Sequence, residues 1–234
     1  MFTGKFIKNF VFDGKGLRAH GRSGNLTRVF AEQGDLDGSC SVYSLMMMLI
    51  FHQKLEWADL KDGERAKDCE FVDHIQRLFL RGLNGCCANG HTLEYLSFRL
   101  NQCFGENLSE VFTITSGRYN SVSRRELHLK IRAQLDARKP VLLGFHRKSG
   151  TGHAVVVVGY RREDWNRLRL FCLDPGRMLP FMQVWNNVID LNYLAPDTPA
   201  DEQFMDINHY EDNKVYVDTI LIIHNSSSES ACPF

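Results

Sequence analysis

Residues 33–50 read QGDLDGSCSVYSLMMMLI, and the step from polar loop to apolar helix falls at Cys40. Asp37, Gly38 and Ser39 are turn and cap residues, and behind them Val42, Leu45, Met46, Leu49 and Ile50 recur at helical spacing. The pattern predicts a helix with Cys40 in its first turn. Backbone N–H groups at a helix start and the positive end of the macrodipole favour the thiolate, which is the nucleophilic form of cysteine. Cys40 is therefore a candidate nucleophile. The alternative is an ordinary buried cysteine, since the free thiol packs as a small hydrophobe. A nucleophile needs a base and a group that holds the base, so the rest of the chain decides between the two.

Upstream, Phe6–Phe12 and Leu26–Ala31 have the composition of strands, and the glycine-rich, basic stretch Asp13–Gly24 between them reads as a loop. No strand runs into a P-loop or a dinucleotide fingerprint, which argues against nucleotide binding. Downstream, apolar residues at helical spacing predict helices over Arg65–Arg81 (Cys69, Val72, Ile75, Phe79) and His91–Phe104 (Leu93, Leu96, Leu100, Cys103). Phe112–Thr115 reads as a strand. Ser123 with Glu126 forms a capping-box signature ahead of Leu127, Ile131 and Leu135, and Pro140 closes the helical part.

From Val141 the texture changes. VLLGF (141–145), HAVVVVGY (153–160), LRLFCLD (168–174) and KVYVDTILII (214–223) are β-branched and aromatic runs bounded by turns. The fold class is α+β: a helical part over roughly 33–139 and a sheet over roughly 140–224 that the N-terminal strands join, within one domain spanning 1–224. Arg177–Asp212 is irregular, with a short helix expected near Phe181–Val188. Asn225–Phe234 is a polar, serine-rich tail expected to be disordered.

His153 opens the valine strand and Asp174 closes the next one, with RREDWN (161–166) between them as a hairpin loop. Centring the hairpin between Glu163 and Asp164 sets Val155 opposite Cys172, Val157 opposite Leu170 and Gly159 opposite Leu168, which makes one apolar face. The same register sets Asp174 directly opposite His153. There the carboxylate fixes the imidazole tautomer and stabilises its charged form. His146, on the preceding strand, is the rival for the base.

In this order, DGSC at a helix start, GHAVVVVGY and LDPG resemble the papain-like cysteine peptidase superfamily, and the strand motifs are most similar to its bacteriocin-processing and related bacterial, effector-like branches. The likeness spans Gln33–Gly176 in order and rests on those three windows. It implies a papain-like fold, in which a helical lobe carrying the Cys40 helix packs against an antiparallel sheet lobe carrying His153 and Asp174. It implies that Cys40 is the nucleophile, His153 the general base and acid, and Asp174 the orienting residue. The superfamily often carries a glutamine shortly before the cysteine that donates its amide to the oxyanion; Gln33 matches in type, at a spacing one residue longer than papain's. Papain's tryptophan after the cysteine is replaced here by Ser41, Val42 and Tyr43. DGSC also resembles ovarian-tumour-type deubiquitinases, which the long valine strand fits less well.

Composition bounds the partners. Lys plus Arg equals Asp plus Glu at 28 each, and the aromatics do not interleave with a basic stripe, so nucleic acid and anionic membrane are disfavoured. No apolar run reaches membrane-spanning length. The N-terminus lacks the basic and apolar regions of a signal peptide, and seven cysteines outside any regular framework fit a reducing compartment. The expected location is the cytoplasm, or export without a classical signal. Cys69, His74, Cys86, Cys87, His91 and Cys103 lack recognised zinc-ligand spacing, so no metal or organic cofactor is expected. The expected partner is a protein or peptide whose peptide or isopeptide bond is hydrolysed through a thioester. The same thioester serves a deamidase or a transglutaminase, and a protein-binding module retains such a fold without turnover.

Overall fold

The computed structural model describes residues 4–8, 10–33, 39–60, 69–81, 91–104, 108–113, 121–147, 150–162, 167–180, 183–192, 200–204 and 214–224. The helix of the cysteine, α1 (Cys40–Phe51), is its centre: every residue except Tyr43 is buried. A helix that is apolar all round belongs in the middle of a protein rather than on a half-exposed face, and the run of Met46, Met47, Met48, Leu49, Ile50 and Phe51 makes α1 such a helix. A hydroxyl in that position needs an acceptor. Ser44 finds one in the Ala154 carbonyl at 3.0 Å, which ties α1 to the strand that carries His153.

Five further strands precede or follow α1 before the main run of sheet. They are β1 (Lys5–Phe6), β2 (Phe10–Asp13), β3 (Gly16–His20) and β4 (Leu26–Arg28) on the N-terminal side, then β5 (Ser109–Thr113). The main run consists of β6 (Val141–Arg147), β7 (Gly152–Arg162), β8 (Arg167–Leu173), β9 (Asn187–Asn192), β10 (Ala200–Phe204) and β11 (Lys214–Ile223). These six pair antiparallel in chain order from β6 to β11, and β11 pairs back onto β6, so the strands close into a ring. β5 extends the sheet beyond β11, and β1 lies along β7. The architecture is α+β with an antiparallel sheet. Helix α4 (Ser121–Asp136) packs on β1, β6, β7 and β11, and α3 (Leu93–Phe104) on β5 and β11. Among the described residues no helix is long and apolar enough to cross a membrane.

Strand β7 is buried from Ala154 to Tyr160, which explains why its valines run on without polar alternation. Gly159 is required where β1 meets it, because a Cβ there would collide with the Phe6 ring and the Lys5 carbonyl. Phe6 in turn stacks on Phe171 and Trp185, with ring centroids 5.0 and 5.4 Å away.

Several local expectations change. The stretch Asp13–Gly24 is not a loop throughout: β3 lies inside it, because Leu17 and Ala19 alternate with Arg18 and His20 and bury one face. Phe6–Phe12 is two short strands that belong to different sheets, β1 with β7 and β2 in a separate three-stranded sheet with β3 and β4. Over Phe181–Val188 the described residues form no helix, and Asn187 and Val188 begin β9, whose Val188, Ile189 and Leu191 are buried. Helix α4 starts at Ser121, so Ser123 lies inside it rather than at its cap. Of the helix expected over Arg65–Arg81, α2 (Glu70–Ile75) and a π-helical continuation, Gln76–Arg81, are described.

The β7–β8 hairpin departs from the predicted register. Cys172 faces Val157 rather than Val155, and beyond a bulge between Val157 and Gly159 the pairs are Gly159 with Phe171 and Tyr160 with Leu170. The extra residue at the bulge is Val158, which a symmetric hairpin does not anticipate. Before the bulge the displacement is an even number of residues, so the side chains keep their faces. Asp37 and Gly38, Cys86 and Cys87, the loop 163–166, Cys232 and the serine-rich tail lie outside the described residues.

Candidate active site

Ser39 is the N-cap of α1, and it caps with its backbone: its carbonyl accepts from the N–H of Val42 at 2.9 Å and of Tyr43 at 3.0 Å. Cys40 is therefore the first helical residue, held at the positive end of a buried helix and itself only 9 % exposed.

The histidine is the second residue of β7. His153 pairs with Phe145 of β6 and packs edge-on against that ring, with centroids 5.5 Å apart. Its Nε2 lies 2.7 Å from Asp174 Oδ1, and its ring is hydrogen-bonded to Cys40 as well. With Nε2 taken by the carboxylate, Nδ1 is the nitrogen left to serve the sulfur. Continuing the β7–β8 register one residue past Leu173 places Asp174 beside Val155, on the face that Val155 shares with His153. The two partners are thus diagonal rather than direct cross-strand neighbours, still within reach of each other's side chains.

Asp174 is 1 % exposed, and such a carboxylate is tolerable only when its oxygens are satisfied. Oδ1 accepts from the Gly176 N–H at 2.8 Å besides His153, and Oδ2 accepts from Asn187 Nδ2 at 2.9 Å. The backbone of Asp174 is gripped separately: its N–H donates to Asn186 Oδ1 at 2.6 Å, and Asn186 Nδ2 donates to its carbonyl at 2.8 Å. A Cβ on Gly176 would sit 3.3 Å from both Asp174 Oδ1 and His153 Cε1, tight enough that the pair would have to shift by a few tenths of an ångström. Asn186 and Asn187 are functional neighbours that the sequence reading missed. The signal was an adjacent pair of asparagines ahead of the alternating Val188, Ile189 and Leu191, masked by the expectation of a helix.

The charges follow from this packing. Burial alone pushes the His153 imidazole down, but the hydrogen bond to Asp174, the hydrogen bond to Cys40 and the negative charge of both outweigh it, and its pKa rises from an ordinary 6.5 to about 10. Burial pushes the Asp174 carboxyl up, and the hydrogen bond and charge of His153, with the Gly176 and Asn187 donors, hold it below the ordinary carboxylate value. His153 is raised relative to the unfolded chain, so its stabilisation is complete below about pH 6.5 and lost as pH rises through about 10. Asp174 is lowered, so its share is complete above about pH 4 and lost as pH falls further. Thermal melts from pH 6.5 to 10 are accordingly expected to lose stability more steeply in the wild type than in His153→Ala; parallel losses would contradict the raised value.

Cys40 and His153 line one cleft of about 540 Å³, together with residues from α3, β6 and β11. Gln33 is not among the lining residues. It joins the group through its backbone, whose N–H donates to the Pro175 carbonyl at 2.7 Å and so docks the segment leading to Cys40 on the Asp174 turn. His146 lines the cleft but pairs with Asp218, at 2.8 Å, instead of with the cysteine's partner carboxylate. Among the described residues no group of three or more His, Cys, Asp or Glu is placed to hold a metal ion. Cys69 sits in the core at 5 % exposure, and Cys103 is half-buried on α3.

A thiol bonded to an imidazole that a buried carboxylate orients is an arrangement able to attack a carbonyl carbon and to move a proton to a leaving group. A scan against protein-family models matches none of them, and a search of curated proteins finds no match.

Proposed function

We propose that the protein is a papain-like cysteine peptidase that hydrolyses peptide or isopeptide bonds through a Cys40–His153–Asp174 triad. The observation that carries this reading is the hydrogen-bonded chain from Cys40 at the start of α1 through His153 to the buried Asp174, with the first two members open to one cleft. Cys40 attacks as the thiolate, with His153 as the imidazolium beside it. The carbonyl carbon becomes tetrahedral, His153 gives its proton to the departing amine, and the carbon–nitrogen bond breaks to leave a thioester on Cys40. Water, deprotonated by His153, then releases the acid and restores the thiol pair. Asp174 keeps the imidazole in one orientation through both halves.

The oxyanion of each tetrahedral intermediate needs donors in place before the charge develops. The backbone N–H at Cys40 is one, and the Gln33 amide is the proposed second. Loss of one such donor typically raises the barrier by about 2.7–4 kcal/mol, so Gln33→Ala is expected to lower kcat on the order of a hundredfold or more while the melting temperature stays close to that of the wild type. Near-normal kinetics in this variant would move the role to another donor. The experiment for the reading as a whole is labelling with an acyl-type electrophile followed by peptide mapping: the adduct belongs on Cys40 and disappears in His153→Ala at neutral pH.

A further inference from the structure

The cleft continues beyond the cysteine and histidine to a second carboxylate. Strand β11 carries a bulge between Val217 and Thr219: Val217 faces Phe145 of β6, and Thr219 faces the next residue back, Gly144. Asp218 is the extra residue. A bulge re-aims the side chain it carries, and Asp218 lines the same cleft as Cys40 and His153. Its Oδ2 accepts from His146 Nδ1 at 2.8 Å and its Oδ1 from the Thr219 hydroxyl at 2.9 Å, which holds the carboxylate in place. A carboxylate has about four lone-pair sites, so these two bonds leave capacity for a cationic ligand.

A further carboxylate, Glu94 in the first turn of α3, also lines the cleft, and Thr113 donates its hydroxyl to it. Among the described residues that line the cleft there is no lysine or arginine, and the positive charge of His153 is already matched by Asp174. Leu93 and Phe145 supply apolar wall for an aliphatic stem. Independently, Ser41 lines the cleft at 2 % exposure with a hydroxyl that has no hydrogen-bond partner. Buried hydroxyls are normally satisfied, so this one points to a ligand that completes it.

We propose that Asp218 and Glu94 form a recognition subsite for a lysine or arginine side chain of the substrate whose carbonyl meets Cys40. This selectivity rests on the cysteine-peptidase reading and names its substrate class. The ammonium or guanidinium lies between the two carboxylates, and His146 acts as a positioning residue for Asp218.

The test uses peptidyl acyloxymethyl ketones that carry lysine, arginine, norleucine or glutamate at each of the two residues next to the reactive group. The rate of adduct formation on Cys40 is read by mass spectrometry. A charge-assisted hydrogen bond predicts that a lysine or arginine probe labels on the order of tenfold faster than the norleucine probe. That preference is expected to shrink in Asp218→Asn and to vanish in the Asp218→Asn, Glu94→Gln double variant, with labelling by iodoacetamide unchanged. Both substitutions keep shape and an acceptor oxygen, and the iodoacetamide rate shows that the catalytic pair survives. Equal wild-type rates for lysine, arginine and norleucine probes, or a preference that persists in the double variant, would overturn the subsite while leaving the peptidase reading intact. Absence of any peptidyl adduct on Cys40 would overturn both.

Discussion

Cys40→Ala is expected to lower turnover on the order of 10⁶-fold, the scale on which an activated nucleophile contributes, with no rescue from the other thiols. The substitution removes one sulfur from a 9 % exposed position, and the expected change in folding stability is within about 1 kcal/mol. Activity and stability therefore separate. Cys69 is the internal comparison: it also stands at a helix start, as the N-cap of α2, and is buried, but it packs in the core rather than lining the cleft. Cys69→Ala is expected to leave turnover near the wild-type level. Turnover retained in Cys40→Ala and lost in Cys86→Ala or Cys87→Ala would displace the nucleophile.

Asp174→Ala is the second large effect. It leaves three donors without their acceptor, namely His153 Nε2, the Gly176 N–H and Asn187 Nδ2. It also removes the first of the interactions that raise His153. A drop in kcat on the order of a thousandfold is expected, since loss of the orienting group lets the imidazole turn. Each orphaned buried donor costs about 1–3 kcal/mol, so the melting temperature falls too. The turn itself persists, because Asn186 holds Asp174 by its backbone N–H and carbonyl. Asp174→Asn retains an acceptor for His153 and Gly176 and gives up only the Asn187 bond, so its loss is smaller than that of alanine. Steady-state kinetics beside thermal melts of the two variants checks the order; asparagine as damaging as alanine would mean that charge, rather than orientation, is what Asp174 provides.

The parts of this arrangement that were legible in the sequence are those a short window encodes. DGSC followed by SVYSLMMMLI specifies both a helix and where it starts, and Cys40 is the first residue of α1. The meeting of His153 and Asp174 was legible through the period of two along a strand, although the register was not: the bulge at Val158 shifts the pairing, and an even shift leaves both residues on their shared face. What needed the third dimension was everything contributed from a distance. Asn186 and Asn187 support Asp174 from β9, on a segment whose polar start suggested an irregular stretch with a helix. Asp218 sits among aliphatic residues of β11, and only the bulge beside Gly144 shows that it turns into the cleft. β3 was hidden because glycines at both of its ends outweighed the alternation of Leu17 and Ala19 with polar neighbours.

The most direct measurement is proteomics of newly formed protein termini in cells that express the wild type or Cys40→Ala at matched levels. A cysteine peptidase predicts a set of new termini present with the wild type and absent with Cys40→Ala. Identical sets of termini in the two samples would contradict hydrolysis, and a Cys40-dependent deamidation or cross-link without new termini would assign the same thioester chemistry to a different reaction.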